Sequence, residues 1–371
     1  MMQMYDPKRE YKNHKNEIDD AIHVVLDHGI FINGPEIQHL EETLSKFMNV
    51  KHAITVSDGT TALKIALLAL DIKPNDEVIT VSHTWISTAE VISIINAIPV
   101  FIDIKLDTFN MDPSKIEEAI TSKTKAIIVV SLYGLISDID EINFIAKKYN
   151  LPVIEDGAQS FGALYKGKRS GSLTTIGTTS FFPSKPLGCY GDGGACFTND
   201  DNLAYKIRCI KSHGGIKRFN HEFIGLNGRI DTLQASILNA KFKYFENETI
   251  INRNKCANYY SDKLKDIDKF KLPIVKNDCM SVWAQYSILT ENKEIRDNIV
   301  DYMKANGINL AIFYPVSLHR QKCFENKSIA HDLNISERVA DTIFNLPCYA
   351  EITYEEQDII IDLLHNYRFI T

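Results

Sequence analysis

Short apolar runs alternate with helical patterns between about residues 52 and 200, and this alternation constrains the fold more than any other feature of the sequence. It is typical of stacked β–α–β units, which build a mostly parallel sheet covered by helices. Several runs are apolar throughout, as expected for parallel strands that are buried on both faces. Strands are predicted at residues 52–56, 77–81, 100–104, 126–131, 152–155, 178–182 and 195–198.

Helical patterns fill the gaps between these runs. They are predicted at residues 61–70 and 140–149, and a longer one, from about 231 to 263, is interpreted as a connector between domains. Beyond residue 268 we predict strands at 281–290 and 310–314 and helices at 293–306 and 354–367. The predicted fold class is therefore α/β, with a large domain (residues 1–245) around a mostly parallel seven-stranded sheet and a smaller C-terminal α+β domain (residues 246–371).

The composition argues against several kinds of partner. The net charge of −7 and the pI near 5.9 provide no basic footprint for nucleic acid. No apolar stretch is long enough to span a bilayer, and residues 1–12 are polar rather than a signal segment. The seven cysteines are scattered, with no Cys-x-x-Cys pair, so neither a disulfide framework nor a thiolate zinc site is expected. We predict a cytoplasmic protein without a metal centre, a nucleic-acid partner or a membrane partner.

Asp156 follows the predicted strand at 152–155, in the run Leu-Pro-Val-Ile-Glu-Asp-Gly-Ala-Gln-Ser. Open α/β sheets bind their ligands outside the carboxyl ends of the strands. A carboxylate in that position could simply cap the turn at Gly157. Alternatively, it could pair with a pyridinium nitrogen and keep the ring of a cofactor protonated.

Lys185 lies in the run Phe-Phe-Pro-Ser-Lys-Pro-Leu-Gly-Cys-Tyr-Gly-Asp-Gly-Gly, directly after an apolar strand. A lysine between prolines and glycines is usually a solvated loop residue. A rigid turn at a strand end could instead hold the amine inside a site, where an aldehyde converts it to a Schiff base. Ser180 supplies a hydroxyl group nearby.

A third motif, Ser-Asp-Gly-Thr-Thr-Ala-Leu at residues 57–63, joins a predicted strand to a predicted helix. The N–H groups of Gly59 and Thr60 would face outward at the positive end of that helix, which suits a phosphate, although an ordinary helix cap has the same pattern. Trp85 follows the strand at 77–81 and could either stack on a flat cofactor or belong to the core. The chain has neither a Walker loop nor Gly-x-Gly-x-x-Gly after a strand, which argues against a nicotinamide dehydrogenase.

Together these motifs provide a phosphate cradle, an aromatic face, a carboxylate for a ring nitrogen and a Schiff-base lysine at successive strand ends. Carried by these motifs, the chain resembles the sugar-aminotransferase family known as the DegT/DnrJ/EryC1/StrS group. That group has the fold of aspartate aminotransferase, which is fold type I of the enzymes that depend on pyridoxal 5'-phosphate (PLP). The similarity extends over nearly the whole chain, through residues 34–36, 57–63, 84–89, 155–160, 181–194, 225–231, 314–316 and 345–347.

The resemblance implies a role for each matching position. Lys185 would be the catalytic lysine that carries PLP. The other cofactor-binding residues would be Asp156 at the ring nitrogen, Gln159 at the phenolic oxygen, Trp85 against the ring, and Gly59, Thr60 and Ser180 at the phosphate. Asn227 would reach the phosphate from the second subunit of a homodimer with shared active sites. Arg229 and Tyr314 would lie on the substrate side.

The resemblance also implies the reaction. Dehydratases of the family have histidine in place of the lysine, so Lys185 favours transamination, with L-glutamate as donor and a nucleotide-linked keto-sugar as acceptor. The segment around Lys185 is similar to that of enzymes that aminate C3 of a UDP-linked N-acetylglucosamine-type 3-keto sugar or its uronic acid. Such amino sugars enter lipopolysaccharide or other surface polysaccharides. The alternatives are a C4 aminotransferase acting on a UDP- or dTDP-4-keto-6-deoxy sugar and, more remotely, a non-catalytic PLP-binding regulatory protein.

Overall fold

The computed structural model describes residues 2–368, and its centre is an eight-stranded sheet. Two smaller sheets, of three and two strands, lie beside it. The strands are β1 (His52–Val56), β2 (Glu77–Val81), β3 (Ile98–Ile102), β4 (Thr124–Val130), β5 (Val153–Asp156), β6 (Leu164–Tyr165), β7 (Lys168–Arg169), β8 (Ile176–Ser180), β9 (Gly194–Thr198), β10 (Cys279–Met280), β11 (Tyr286–Leu289), β12 (Ile329–Ala330) and β13 (Ile343–Leu346).

Helices precede, connect and follow these strands. They are α1 (Pro7–Asn13), α2 (Lys15–His28), α3 (Pro35–Met48), α4 (Gly59–Ala69), α5 (Ser87–Ile94), α6 (Ile116–Ala119), α7 (Ile139–Lys148), α8 (Asp201–Ile210), α9 (Thr232–Tyr244), α10 (Ile251–Leu264), α11 (Lys293–Ala305), α12 (Asn334–Thr342) and α13 (Tyr354–Asn366). Within residues 2–368, no helix combines the length and the apolar character needed to cross a bilayer.

The large sheet has the strand order β1-β9-β8-β5-β4-β2-β3-β12. Only β9 runs antiparallel to its neighbours, so the predicted mostly parallel α/β sheet is confirmed. All seven predicted strands are present, and the edge strand β12 adds a short eighth that the sequence pattern did not indicate. The prediction placed the starts of the third, fourth and sixth strands two residues late, at 100, 126 and 178 instead of 98, 124 and 176. Pro99 is tolerated in the third strand near the sheet edge, since β12 covers only Val100 and Phe101.

Strand residues alternate between two hydrophobic cores, one on each face of the sheet. In β4, Ile127 and Val129 belong to the core covered by α3, α7 and α9, whereas Ala126 and Ile128 belong to the core covered by α4, α5 and α8. With both faces covered, the strands are fixed over their whole length. Their carboxyl ends therefore form a rigid platform.

A third core surrounds the small sheet of β11 and β13 and includes apolar residues of α10, α11 and α13. Helix α9 continues through a π-helical turn, Phe245–Ile250, into α10, which confirms the predicted long helical run. The predicted division between residues 245 and 246 falls at this turn, and it stays a prediction. Met1 and residues 369–371, which belong to the two predicted domains, lie outside the described residues.

Two strand predictions in the C-terminal part need correction. The strand predicted at 281–290 is limited to Tyr286–Leu289, and residues 310–314 form no strand. Ala311 pairs with the backbone of Asn345, but side chains bind the next backbone groups: Asn345 Oδ1 accepts from Phe313 N at 3.0 Å and Tyr133 donates to Phe313 O. Residues 310–314 therefore have the composition of a strand, but side chains hold this segment in place.

Candidate active site

Asp156 ends β5 and points its carboxylate into the protein, where only 6% of the residue is exposed. Oδ2 accepts a hydrogen bond from Thr88 Oγ1 at 2.7 Å, and Oδ1 accepts one from Ala158 N at 3.2 Å. Burial raises the pKa of Asp156, while Thr88, Ala158 and the charge of Lys185 oppose that rise. Asp156 is more than a turn cap, because Thr88 of helix α5 also binds its carboxylate.

Lys185 lies in the loop between β8 and β9. This loop folds back on itself, since Phe181 N donates to Gly193 O at 2.7 Å and Cys189 N donates to Phe181 O at 2.8 Å. The Lys185 ammonium forms no hydrogen bond or ion pair within residues 2–368. Burial lowers the pKa of Lys185, and Asp156 is the charge that counteracts this effect. A half-buried amine with a lowered pKa and no ion pair in this part of the chain is suited to act as a nucleophile.

The predicted phosphate cradle forms where the N-terminus of α4 meets the end of β8. Asp58 caps the helix by accepting from Thr61 N at 2.7 Å, which leaves the first-turn N–H groups of Gly59 and Thr60 without an acceptor in the helix. A Cβ on Gly59 would lie 2.7 Å from Ser180 Cβ, so only glycine allows this close approach. The structure thus brings Gly59, Thr60 and Ser180 together at the positive end of an 11-residue helix.

Gln159 and Tyr314 form a second predicted group beside this platform. Gln159 is 4% exposed, accepts from Tyr133 N at 2.8 Å and donates through Nε2 to the Tyr314 hydroxyl at 3.0 Å. Burial raises the pKa of Tyr314, the Gln159 hydrogen bond opposes this rise, and the charge of Asp156 adds to it. Trp85 lies over this side with 57% of its surface exposed and its ring 6.0 Å from the Tyr314 ring. It is therefore not a core residue.

Asn227 and Arg229 are placed differently. Asn227 is exposed, and neither side chain forms a hydrogen bond or ion pair within residues 2–368. Arg229 Nε is nevertheless buried without an acceptor in that part of the chain. The intervening Gly228 packs against Thr61 of α4, so the backbone of this loop approaches the cradle of its own chain while the Asn227 amide faces outward.

Two residues of the site carried no predicted role. Thr88 lies within the motif at 84–89, but its contact with Asp156 joins α5 to β5 and has no local sequence signal. Tyr133 follows β4, has a φ of 56° and binds Gln159, Phe313 and His83. A tyrosine followed by glycine directly after a strand was the one signal that could have drawn attention to this turn.

These residues fit PLP on the geometry of the chain itself. The group has an aldehyde, a protonatable ring nitrogen and a phosphate. The site offers an unpaired amine at Lys185, a buried carboxylate at Asp156 and a glycine-lined helix end at Gly59 that a Cβ would fill. Within residues 2–368, no cluster of His, Cys, Asp or Glu side chains is suited to hold a metal ion.

Comparison with known proteins gives the same assignment over the whole chain. The family model described as "DegT/DnrJ/EryC1/StrS aminotransferase family" matches residues 12–365. A UDP-2-acetamido-2-deoxy-3-oxo-D-glucuronate aminotransferase from Pseudomonas aeruginosa is 44% identical over 366 residues, covering 99% of this chain and 100% of its own. A UDP-N-acetyl-3-dehydro-alpha-D-glucosamine 3-aminotransferase from Acidithiobacillus ferrooxidans is 37% identical and covers 95% of this chain and 94% of its own.

Solved structures agree with these relatives. A DegT DnrJ EryC1 StrS aminotransferase from Brucella abortus superposes with a TM-score of 0.94 at 37% identity, covering 98% of this chain and 99% of its own. NtdA from Bacillus subtilis, solved with bound cofactor PMP, superposes with a TM-score of 0.88 at 33% identity, covering 95% of this chain and 82% of its own. The chain belongs to the DegT/DnrJ/EryC1/StrS aminotransferase family and is a transaminase with the fold type I architecture and PLP as its cofactor.

Proposed function

We propose that this enzyme transfers the amino group of L-glutamate to C3 of a UDP-linked N-acetylglucosamine-type 3-keto sugar or its uronic acid. The observation that carries transamination is the half-buried Lys185 amine, which forms no ion pair within residues 2–368 and whose pKa is lowered by burial against the opposing charge of Asp156. The choice of acceptor is supported by the names of the relatives from P. aeruginosa and A. ferrooxidans, which match nearly the full chain.

The residues of the chain have separate tasks in this proposal. PLP, when bound, supplies an electron sink for the carbon that loses and regains a proton. Asp156 holds the proton on the ring nitrogen, while the N–H groups of Gly59 and Thr60 and the Ser180 hydroxyl hold the phosphate. Lys185, whose pKa is lowered by burial, accepts the proton of the substrate carbon and returns it. Gln159 orients the phenolic oxygen with its amide N–H.

The proposed active unit is a homodimer in which Asn227 of one subunit completes the phosphate site of the other. The surface around this loop supports the assignment. Phe219 and Ile224 are 82% and 94% exposed, and they lie in the same connection as Asn227. Phe31 is also exposed and is joined to Thr232 by a backbone hydrogen bond of 2.9 Å. Large apolar side chains left this exposed are typical of a surface that a partner covers.

The proposed location is the cytoplasm. All seven cysteines of the chain are free thiols, and Cys189, Cys196, Cys209, Cys256 and Cys348 are buried. Free thiols are the usual state in a reducing compartment.

The experiment supplies the purified enzyme with L-glutamate and a panel of UDP- and dTDP-linked keto-sugars, and determines the aminated carbon by NMR. We expect amination at C3 of a UDP-linked 3-keto sugar. Amination of a 4-keto-6-deoxy sugar alone would establish the C4 alternative, and no turnover with any ketone would favour the regulatory alternative.

A variant at Arg229 can distinguish the two proposed acceptors, the neutral 3-keto sugar and its uronic acid. Its unpaired guanidinium is available to a sugar carboxylate, and a charge-assisted hydrogen bond of that kind contributes about 1.5–3 kcal/mol. Arg229→Ala should therefore lower kcat/KM about 10- to 100-fold for the uronic acid and much less for the neutral sugar. The matched control is Arg338→Ala on the exposed face of α12. Equal losses for both sugars would assign Arg229 to another group, such as the diphosphate.

A further inference from the structure

Tyr133 lies in an unusual backbone conformation at the end of β4. Its φ of 56° is in the left-handed region, which a bulky aromatic residue adopts only where its surroundings hold it there. The next residue, Gly134, has a φ of 102°, and a Cβ on it would lie 2.5 Å from Trp283 N. The turn is therefore pressed against the C-terminal part of the chain. Strained residues of this kind concentrate at functional sites.

Three hydrogen bonds fix Tyr133. Its N–H donates to Gln159 Oε1 at 2.8 Å, and its hydroxyl donates to Phe313 O. The hydroxyl has one proton, so it must accept in its bond with His83 Nε2 at 2.8 Å. Burial lowers the pKa of His83 to about 4, and the neutral ring therefore places its single proton on Nε2. The donor and the acceptor are therefore defined in each of these three hydrogen bonds.

The hydrogen bond from the Tyr133 N–H also fixes the orientation of the Gln159 amide. Because the Tyr133 N–H is bonded to Oε1, the amide of Gln159 cannot flip, and Nε2 must face Tyr314. Nε2 donates one hydrogen to the Tyr314 hydroxyl at 3.0 Å and keeps a second hydrogen for a ligand. The Tyr314 hydroxyl accepts this bond, so its own proton is available to a group in the site.

Tyr133 also fixes the backbone of the substrate-side segment. Its hydroxyl binds the carbonyl of Phe313, the residue before Tyr314, while Asn345 Oδ1 accepts from Phe313 N at 3.0 Å. The His83 ring lies 6.0 Å from the Tyr314 ring on the same side. One residue at the end of β4 thus touches both the cofactor half of the site, through Gln159, and the substrate half, through Phe313.

We propose that Tyr133, oriented by His83, is a positioning residue that sets Gln159 and Tyr314 together for transamination. Tyr133 acts through these two residues and does not itself touch a reacting atom. The proposal rests on the substrate-side role of Tyr314. It predicts that the Tyr133 hydroxyl matters through Tyr314 more than through the stability of the fold.

The test compares Tyr133→Phe with Tyr260→Phe. Tyr260 is fully buried, and its hydroxyl also donates to a backbone carbonyl, Pro347 O at 3.0 Å, but it lies in the C-terminal core. Hydrogen exchange is measured by mass spectrometry on both proteins. The lost bond should make the amides of residues 311–318 exchange about five-fold faster in Tyr133→Phe and leave them unchanged in Tyr260→Phe. Unchanged exchange in Tyr133→Phe would overturn the proposal, whatever the substrate.

A double-mutant cycle then connects this movement with turnover. Tyr133→Phe should lower kcat/KM at least about ten-fold, and in a Tyr314→Phe background it should cause less than about a two-fold further loss. Losses that multiply, or a Tyr133→Phe enzyme as active as Tyr260→Phe, would overturn the proposal. The cycle uses whichever keto-sugar the wild-type enzyme aminates, so an error in the proposed acceptor shows in the wild-type enzyme and leaves this comparison intact.

His83 offers a second pair of variants that does not alter Tyr133. Glutamine can place an amide N–H near the position of Nε2, whereas leucine cannot donate. His83→Gln should therefore keep most of the activity and the slow exchange of residues 311–318. His83→Leu should show the fast exchange and the loss of turnover. Identical behaviour of the two variants would mean that the hydrogen bond to Tyr133 has no positioning role.

Discussion

The two halves of the active site differ in how far a single chain completes them. In the buried half, the Asp156 carboxylate and the Gln159 amide each have two hydrogen-bond partners in the same chain. In the open half, Trp85 is mostly exposed, and the side chains of Asn227 and Arg229 have no hydrogen-bond partner within residues 2–368. One chain therefore completes the surroundings of Asp156 and Gln159, and leaves those of Trp85, Asn227 and Arg229 incomplete.

The supporting structure explains this difference. Asp156 and Ser180 end neighbouring parallel strands, which are covered by helices on both faces and cannot shift independently. Asn227 and Arg229 lie instead in the long connection between α8 and α9, which has no regular secondary structure. A carboxylate such as that of Asp156 benefits from a rigid platform, whereas binding residues are often carried by loops such as the one that holds Asn227 and Arg229.

The largest expected effect comes from removing the Lys185 amine, on the side of the site that one chain completes. Lys185→Ala should lower turnover at least about a thousand-fold, because both the covalent attachment and the proton transfer are lost. Borohydride reduction of the wild-type holoenzyme should fix the cofactor on Lys185, as found by peptide mapping. Lys304→Ala, at an exposed position of α11, is the matched control and should behave as wild type. Label on another lysine would contradict the assignment.

The next effect tests whether the incomplete side is completed by a second copy. Lys185→Ala and Asn227→Ala should each be inactive or strongly impaired alone. In a mixed dimer, one site would carry both defects and the other neither. Random exchange of subunits should then restore about a quarter of the wild-type activity, since half the dimers are mixed and each has one intact site. Turnover is measured after exchange has been demonstrated with differently tagged subunits.

The matched control replaces Asn227→Ala with Asp156→Ala. Asp156 and Lys185 belong to the same chain's site, so a mixture of these two inactive proteins contains no intact site and should stay inactive. Recovery in both mixtures would point to contamination. Recovery in neither, with exchange demonstrated, would show that Asn227 acts within its own chain, where Gly228 already approaches α4.

The fold was predictable because its signals are periodic. Short apolar runs alternate with helical patterns, several of them apolar throughout, and seven of the eight strands of the large sheet could be placed from that alternation. The two-residue strand β12 is too short to show a periodic pattern. Its pairing with β3 depends on the tertiary fold. Residues 310–314 misled for the opposite reason: their composition favours a strand, but the side chains of Tyr133 and Asn345 bind the backbone of Phe313.

The site was predictable where the residues form motifs and unpredictable where they meet only in space. Lys185, Asp156 and the Gly59 turn stand at strand ends, and their chemistry can be read from type and position. Thr88 and Tyr133 carry no such signal, because a threonine on a helix and a tyrosine in a turn are ordinary residues. Their roles depend on a contact between α5 and the end of β5 and on a left-handed backbone.

The smallest expected effect concerns Thr88 and the pH dependence of activity that Asp156 is expected to cause. In the proposed mechanism Asp156 must be ionised to hold the proton on the ring nitrogen, so activity should fall as pH falls through the pKa of Asp156. Burial raises this pKa and the Thr88 hydrogen bond lowers it. Thr88→Val removes the hydrogen bond that lowers this pKa and should move the acidic limb of the kcat profile up by about one pH unit, since a hydrogen bond to a charged group contributes about 1.5 kcal/mol.

The control, Thr80→Val, removes a buried hydroxyl bonded to Ile128 O at 3.0 Å and should leave the acidic limb in place. An acidic limb that stays fixed in Thr88→Val, or shifts down, would show that another group titrates there and that Asp156 is ionised over the whole range.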